Sequence, residues 1–261
     1  MPANPSPRTP AWPPKSAPRL FVEDTLAEGC TIVLEGPHAH YLGKVMRAKV
    51  GDTVILCDNQ TGEWAGRIGQ VAKRRIDVTA SERLRPREEV PDLWLCAALL
   101  KKDRFDLVLE KATELGVAQI QPVVTRRCVA DKLNADRAIT IITEAAEQCA
   151  RTALPQIVEP TKLDNLLKNW PEERTLYFAD EEGGGPVTNT FVEHSGPAAI
   201  LIGPEGGFDD AERNAIRSLP QAHPITLGPR ILRGETAAIS ALSVWMAVCG
   251  DWGKSDHSGK E

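Results

Sequence analysis

The stretch Ile200-Leu201-Ile202-Gly203-Pro204-Glu205-Gly206-Gly207-Phe208 decides the fold class of this chain. It joins an apolar run to a glycine-rich turn, where missing side chains let the backbone approach a ligand closely. A second stretch repeats this design one α/β step later: Leu227-Gly228-Pro229-Arg230-Ile231-Leu232-Arg233-Gly234-Glu235-Thr236-Ala237. Because open α/β sheets bind ligands at the carboxyl ends of their strands, we predict two neighbouring parallel strands whose loops form one ligand site.

Strands and helices alternate on both sides of the first stretch. The apolar runs predict strands at residues 93–100, 117–124, 175–179, 198–202 and 225–227. Asp103 is predicted to cap a helix that Gly116 ends, and Asp209 with Glu212 forms a capping-box pattern for a helix through Ser218. The sequence therefore predicts an α/β domain built on a parallel sheet.

Two further helices carry apolar faces. A helix over residues 135–151 is predicted to bury Ile139, Ile142, Ala146 and Cys149. The helix over residues 235–248 is apolar nearly all round, which predicts burial, partly against another subunit.

The amino-terminal part has a different pattern. Short β-type runs at residues 19–22, 30–34, 53–57, 63–68 and 75–79 predict a small β-barrel, interrupted by one helix over residues 38–48. That helix places Leu42, Val45 and Met46 on an apolar face. The charged stretch 81–91 reads as a linker, so we predict domains at residues 19–88 and 89–249. Residues 1–18, with seven prolines, are predicted to be a disordered leader, and residues 250–261 a polar tail.

Composition narrows the class of protein. The 261 residues are 42% hydrophobic, without an apolar run long enough to cross a membrane and without a signal peptide, which predicts a cytoplasmic protein. Six widely spaced cysteines predict buried, reduced thiols, and the five histidines lack metal-ligand spacing, so we predict no metal.

The charges are unevenly placed. The chain has a formal net charge of −5, but residues 67–87 hold seven basic and two acidic residues. This strip is typical of a phosphate-binding surface and equally of a strand edge protected by charge. Sequence alone leaves both interpretations open.

The first glycine loop matches neither the phosphate-loop pattern nor the dinucleotide fingerprint. A glycine-rich turn often serves only to connect a strand to a helix. The second loop favours a ligand site, because Arg233 and Glu235 at a buried helix start are costly unless they are paired or meet a ligand.

Several pieces of the chain together resemble the RsmE family, ribosomal RNA methyltransferases that modify N3 of a uridine in 16S RNA. The carboxyl-terminal pieces that carry the resemblance are residues 99–104, 110–117, 144–148, 202–208 and 227–237. His40-Tyr41-Leu42-Gly43-Lys44-Val45-Met46-Arg47 and Gly51-Asp52 resemble the PUA-like RNA-binding domain of that family. The resemblance covers residues 19–249.

This resemblance implies an S-adenosylmethionine-dependent enzyme of the SPOUT class, a homodimer whose carboxyl-terminal α/β domain is a trefoil knot. Knots are rare, and no sequence pattern indicates this one. The residues implied to bind the cofactor are Leu201, Ile202, Gly203, Gly206, Gly207, Leu227, Gly228, Ile231, Leu232, Thr236 and Ala237.

The chemistry of methyl transfer to a uracil nitrogen suggests catalytic roles, and the resemblance implies contacts with RNA. Arg233 is expected to hold the uracil, and Glu205 or Glu235 to accept the N3 proton, although an ordinary ion pair or helix-start carboxylate explains these residues equally well. The implied RNA contacts are Lys44, Arg47, Arg74, Arg104, Lys111, Gln148 and Arg151. The alternatives are a non-catalytic RNA-binding protein and a nicotinamide oxidoreductase.

Overall fold

The computed structural model describes residues 17–194 and 196–253. Nearly all of the predicted leader and most of the predicted tail lie outside these residues. The chain divides into an amino-terminal unit, Met1–Glu88 with Ala150–Ala153, and a carboxyl-terminal unit, Glu89–Cys149 with Leu154–Glu261. No helix in the described ranges has the length and apolar character needed to span a bilayer.

All five strands predicted for the amino-terminal unit are present. They are β1 (Arg19–Phe21), β2 (Thr31–Glu35), β3 (Thr53–Cys57), β4 (Gly62–Val71) and β5 (Arg75–Pro86). They form one sheet in the order β1-β3-β4-β5-β2. Within the described residues β1 and β2 do not pair, so the sheet is open where a closed barrel was predicted. Because β5 pairs with β4 as far as Pro86, residues 81–86 are strand and not linker.

The predicted helix of this unit is shorter and wound differently. Helix α1 (Gly36–His40) continues as a π-helical turn at Tyr41–Val45, and Arg47 then takes a φ of 51°. Leu42 is fully buried, but Val45 and Met46 are 61% and 42% exposed, so the predicted apolar face was wrong for both. The wider turn rotates the following side chains away from the core, and such turns are frequent at functional sites.

The carboxyl-terminal unit is organised around a parallel sheet. Its strands are β6 (Leu93–Ala98), β7 (Gln119–Val124), β8 (Gln156–Ile157), β9 (Thr161–Lys162), β10 (Thr175–Ala179), β11 (Gly185–Pro186), β12 (Ala198–Ile202) and β13 (Ala222–Thr226). The order is β11-β13-β10-β12-β6-β7-β8, and β9 also pairs with β7. The two glycine loops follow β12 and β13, which are not neighbours as predicted, because β10 lies between them.

Helices of this unit pack against the sheet. They are α2 (Lys102–Glu114), α3 (Ala135–Cys149), α4 (Leu163–Lys168), α5 (Val187–Glu193), α6 (Asp210–Arg217) and α7 (Gly234–Val248). The capping box of Asp209 with Glu212 is present. Asp103 lies in the first turn of α2 and does not cap it, since Lys101 occupies the cap position without a side-chain bond.

Some predicted burial was wrong. Helix α3 buries Ala138, Ile142, Ala145 and Ala146, while Ile139 is 51% exposed. Its buried stripe therefore follows the alanines, which allow close packing, and not the larger Ile139. Among the cysteines only Cys57 and Cys96 are buried, whereas Cys149 and Cys249 are exposed at the ends of α3 and α7.

Candidate functional site

Both glycine loops line one cavity in the carboxyl-terminal unit, with a volume of about 250 Å³. The first loop contributes residues after β12, and the second contributes a continuous stretch after β13. The lining residues are Ala179, Asp180, Glu181, Ile202, Gly203, Pro204, Gly207, Phe208, Arg213, Ile225, Thr226, Leu227, Gly228, Pro229, Arg230, Ile231, Leu232, Gly234 and Ala237. Both loops therefore line one cavity, and the binding of a ligand there stays a prediction.

Two glycines allow close contacts at the wall of the cavity. Gly207 has a φ of 65°, and a Cβ there would overlap the carboxylate of Glu181. A Cβ on Gly234 would lie 3.0 Å from Leu100 Cδ2 and 3.4 Å from the carbonyl oxygen of Gly203. The second loop therefore approaches the first closely where α7 begins, and this approach depends on the missing side chain.

Eight of the eleven residues predicted to bind a cofactor line the cavity. They are Ile202, Gly203, Gly207, Leu227, Gly228, Ile231, Leu232 and Ala237. Of the other three, Leu201 is fully buried in the core, Gly206 lies beside Arg127, and Thr236 is exposed on α7. Ile231 is 94% exposed, which is unusual for a large apolar side chain beside a cavity.

Sequence reasoning missed the charged side of the cavity. Asp180 and Glu181 follow β10, which lies between the two loop strands, and Arg213 projects from α6. Arg213 Nε donates to Asp180 Oδ1 at 3.2 Å, and Arg217 Nη2 donates to Asp180 Oδ2 at 2.6 Å. Residues 181–186 read as a loop in sequence, and only the strand order, which brings β10 between β12 and β13, places Asp180 and Glu181 in the site.

The first glycine loop is held from outside the cavity by Arg127, which sequence reasoning also missed. Arg127 Nη1 donates to the carbonyl oxygens of Gly206 at 2.7 Å and Phe208 at 3.4 Å. Its aliphatic stem lies where a Gly206 side chain would be. These contacts fix the loop backbone that lines the cavity.

The predicted catalytic carboxylates share one arginine. Arg104 Nη1 donates to Glu205 Oε1 at 3.3 Å, and its Nε lies 3.8 Å from Glu235 Oε1. The Glu205 side chain is 25% exposed, whereas Glu235 is more buried, and Glu235 Oε2 has no hydrogen-bond partner in the described residues. Arg233 immediately precedes α7 and is exposed, and no ion pair between Arg233 and Glu235 is found among the described residues.

The residues predicted to contact RNA occupy diverse environments. In the carboxyl-terminal unit Arg104 has carboxylate partners, and so does Lys111, whose pKa is raised by hydrogen bonds to Glu110 and Glu114. Gln148 is exposed on α3. Arg151 belongs to the amino-terminal unit, where it is buried and its Nε lies 3.5 Å from Glu88 Oε1.

The basic strip 67–87 is also divided. Arg75 pairs with Asp77, Arg85 pairs with the buried Glu63, and Arg74 is exposed in the turn between β4 and β5. Strand β5 pairs with β2 only over residues 75–79, so that part of the strip is internal, whereas residues 82–86 pair with β4 alone and lie on a sheet edge. In the same unit, Lys44 and Arg47 are exposed beside the π-helical turn.

No group of three or more metal-binding side chains occurs in the described ranges. Burial raises the pKa of Cys96 on β6 to about 12, so this thiol stays protonated and is a poor nucleophile.

Comparisons with known proteins identify the family of this chain. The family described as an RNA methyltransferase domain matches residues 87–246, and an RNA methyltransferase PUA domain matches residues 34–81. Ribosomal RNA small subunit methyltransferase E of Rickettsia conorii is 31% identical over 229 residues, which cover 86% of this chain and 93% of the relative. The chain belongs to the ribosomal RNA small subunit methyltransferase E family.

Another relative and two solved structures are also similar to this chain over most of its length. The Bacillus subtilis relative is 29% identical, covering 86% of this chain and 94% of its own length. An RsmE from Neisseria gonorrhoeae, solved bound to S-adenosyl methionine, is 27% identical with a TM-score of 0.82, covering 90% of this chain and 99% of that one. A putative methyltransferase from Legionella pneumophila, solved with bound SAM, is 31% identical with the same TM-score and coverage. This protein is therefore an RNA methyltransferase with a PUA-like domain.

Proposed function

We propose that this enzyme transfers the methyl group of S-adenosylmethionine (SAM) to N3 of one uridine in 16S ribosomal RNA, in the cytoplasm. The observation that carries the proposal is the single cavity formed by both glycine loops beside the Arg104, Glu205 and Glu235 cluster. The SAM-bound relatives support the cofactor, and the names of the curated relatives support the RNA. The uridine and its N3 rest on the family resemblance.

The cavity suits SAM chemically. Apolar side chains such as Ile202, Leu227 and Leu232 alternate with backbone groups of glycines, which is what an adenine ring requires. The eight predicted residues that line the cavity are proposed to contact the cofactor. Leu201, Gly206 and Thr236 do not line the cavity and are proposed to lie next to the bound cofactor. When bound, SAM supplies an electrophilic methyl group on a sulfonium.

The chain's own residues must position the uracil and remove its N3 proton. Arg233 is proposed to hold the uracil and the negative charge that develops on it, because its side chain is exposed at the start of α7 beside the cavity. Glu205 or Glu235 is proposed to accept the proton, and Arg104 holds both carboxylates in place. N3 then forms the new bond to the methyl carbon as the carbon–sulfur bond breaks.

The assembly and the RNA contacts complete the proposal. Helix α7 keeps Ile239 and Val244 only partly buried, which supports a homodimer through this helix. The knotted topology is proposed from the family resemblance. Lys44, Arg47, Arg74, Arg104, Lys111, Gln148 and Arg151 are proposed to contact RNA, with the exposed Lys44, Arg47 and Arg74 the best placed to reach phosphates.

The direct test incubates the purified protein with SAM and small ribosomal subunits from a strain that lacks the methyl mark. We expect one N3-methyluridine, located by mass spectrometry of RNA fragments. Stabilisation by SAM without methyl transfer to any RNA would contradict the proposed reaction. If SAM neither stabilises the protein against heat nor supports methyl transfer, a non-catalytic RNA-binding protein is favoured. If only a nicotinamide cofactor stabilises the protein, an oxidoreductase is favoured.

The role of Arg233 has its own test. Arg233→Ala is expected to lower kcat by about 10²–10³-fold, the usual loss when one donor to a developing charge is removed. The Kd for SAM should stay unchanged in calorimetry. Arg137→Ala is the control, because Arg137 is an exposed arginine paired with Asp106 outside the cavity lining. Normal turnover by Arg233→Ala would exclude this role.

A further inference from the structure

The carboxylate of Glu181 is held at a defined position on the cavity surface. It follows β10, the strand between the two that carry the glycine loops, and its side chain lies against Gly207, where a Cβ would overlap it. Arg213 Nη2 donates to Glu181 Oε1 at 3.1 Å. The glycine at position 207 therefore leaves room for this carboxylate beside the first loop.

Arg213 is fixed more firmly than a surface arginine. Its side chain is only 6% exposed, and its Nε pairs with Asp180, whose side chain is 1% exposed. Arg213 Nη2 also donates to the carbonyl oxygen of Phe208 at 3.3 Å. A buried arginine with several partners loses little freedom when it holds one more carboxylate, so Glu181 is preorganised.

One oxygen of Glu181 remains available to a ligand. Oε1 accepts from Arg213, while Oε2 accepts no hydrogen bond from the residues that the structure describes. The side chain is 47% exposed and belongs to the cavity lining. An ionised carboxylate accepts hydrogen bonds only, so its partner in the cavity must be a donor, such as a hydroxyl, amino or ammonium group.

We infer that Glu181 accepts hydrogen bonds from the ribose hydroxyls of the adenosyl cofactor, with Arg213 as its positioning residue. This inference rests on the proposed binding of SAM. In α/β nucleotide sites a carboxylate that follows a strand beside the phosphate-binding loop has the same task. The dinucleotide fingerprint is absent from this chain, but the strand order places Glu181 at an equivalent location beside a glycine loop.

The competing donor is the ammonium group of the methionine part of SAM. Glu181 and the apolar residues suited to adenine, Leu227 and Leu232, line the same cavity, and the inference places the ribose beside Glu181. A ribose next to adenine then lies within the same small volume. The two donors are separated by 5′-methylthioadenosine, which keeps adenine and ribose but has no ammonium group.

The experiment measures the Kd of SAM and of 5′-methylthioadenosine for the wild-type protein, Glu181→Gln and Glu182→Gln by calorimetry. Glu182→Gln is the matched control: it removes the same charge beside the same arginine, which Glu182 contacts at 2.7 Å, but Glu182 lies outside the cavity lining. We expect Glu181→Gln to weaken both ligands by the same factor, about tenfold or more. Glu182→Gln should change both Kd values by less than about twofold.

A second arm uses the 2′-deoxy analogue of 5′-methylthioadenosine. Removing the 2′-hydroxyl should weaken binding to the wild-type protein. It should cause little further loss of affinity in Glu181→Gln, because the carboxylate that accepts from this hydroxyl is already replaced by an amide. Equal losses in both proteins would overturn the inference. So would a loss for SAM alone, which would assign Glu181 to the ammonium group, or unchanged binding in Glu181→Gln. Failure of the wild-type protein to bind SAM would overturn the proposed function as well.

Discussion

Ala150 adopts a backbone conformation that favours glycine. Its φ is 64°, in the left-handed region, and Arg85 donates a hydrogen bond to its carbonyl oxygen. It directly follows α3, where glycine commonly ends a helix, and the left-handed conformation costs a residue with a Cβ about 1–2 kcal/mol. The backbone strain of Ala150 therefore lies where α3 ends, and not in the cavity.

Replacing Ala150 with Gly should raise the free energy of unfolding by about 1 kcal/mol, since relief of strain exceeds the entropy that glycine adds to the unfolded chain. Urea unfolding measures the change. Ala211→Gly is the matched control: Ala211 is exposed in the first turn of α6, and the same substitution there should not raise stability, because it only adds conformational entropy to the unfolded chain. A loss of stability in both variants would contradict the left-handed conformation of Ala150.

The residues of the site form two groups: those that a contiguous sequence motif predicts, and those that only the folded structure brings to the site. Gly203, Gly207, Leu227 and Gly228 could be predicted because each belongs to a contiguous motif that leaves a strand. Asp180 and Glu181 could not, because strand order brings them to the cavity, nor could Arg127, because it holds the first loop through a contact distant in sequence. The partners of Arg104 were missed for the same reason, since Glu205 and Glu235 lie more than 100 residues away.

Among the secondary-structure elements, α5 (Val187–Glu193) is the clearest that sequence could not predict. It has no side-chain cap, and four of its seven residues, Val187, Thr188, Thr190 and Val192, are β-branched. Tertiary packing overrides this weak propensity. Phe191 is fully buried and packs edge-on against Tyr177, with ring centroids 4.7 Å apart. By contrast α2 and α6, with clear periodicity or a capping box, were predicted almost to their ends.

Phe191→Ala should therefore destabilise the carboxyl-terminal unit by about 3–5 kcal/mol, through the lost transfer energy and the remaining cavity. Denaturant unfolding followed by far-ultraviolet circular dichroism measures this effect. Val192→Ala is the control on the same helix, because Val192 is 69% exposed and its truncation should change stability by less than about 0.5 kcal/mol. Equal effects of both substitutions would mean that α5 is not held by Phe191.

At the scale of the whole molecule, the negative formal charge conceals a local excess of positive charge. The chain carries −5 overall, yet Lys44, Arg47 and Arg74 are exposed in the amino-terminal unit. Arg75 and Arg85 in the same unit are paired with carboxylates, so they add less net positive charge to the surface. RNA affinity is therefore expected to depend on a few exposed side chains and not on the full strip 67–87.

Reversing two of these charges, Arg47→Glu with Arg74→Glu, should weaken RNA binding. The dependence of log K on log salt should become shallower by about 1.4 for two lost contacts with single-stranded RNA. Fluorescence anisotropy at several salt concentrations measures both effects. Lys162→Glu with Lys168→Glu changes the net charge equally at exposed positions of the other unit and should leave the slope unchanged. A slope that the first pair does not alter would remove these arginines from the interface.

The strand order of the parallel sheet, which pairs segments distant in sequence, has a consequence for folding during synthesis. Strand β12 pairs with β6 about one hundred residues earlier in the chain, and the second loop joins the cavity only through residues up to Ala237. Contacts of such long sequence separation form late, because the intervening chain must first be ordered. A nascent chain cannot assemble the cavity until nearly all of its residues have left the ribosome. Truncated products of interrupted translation would therefore lack cofactor affinity and could not sequester SAM.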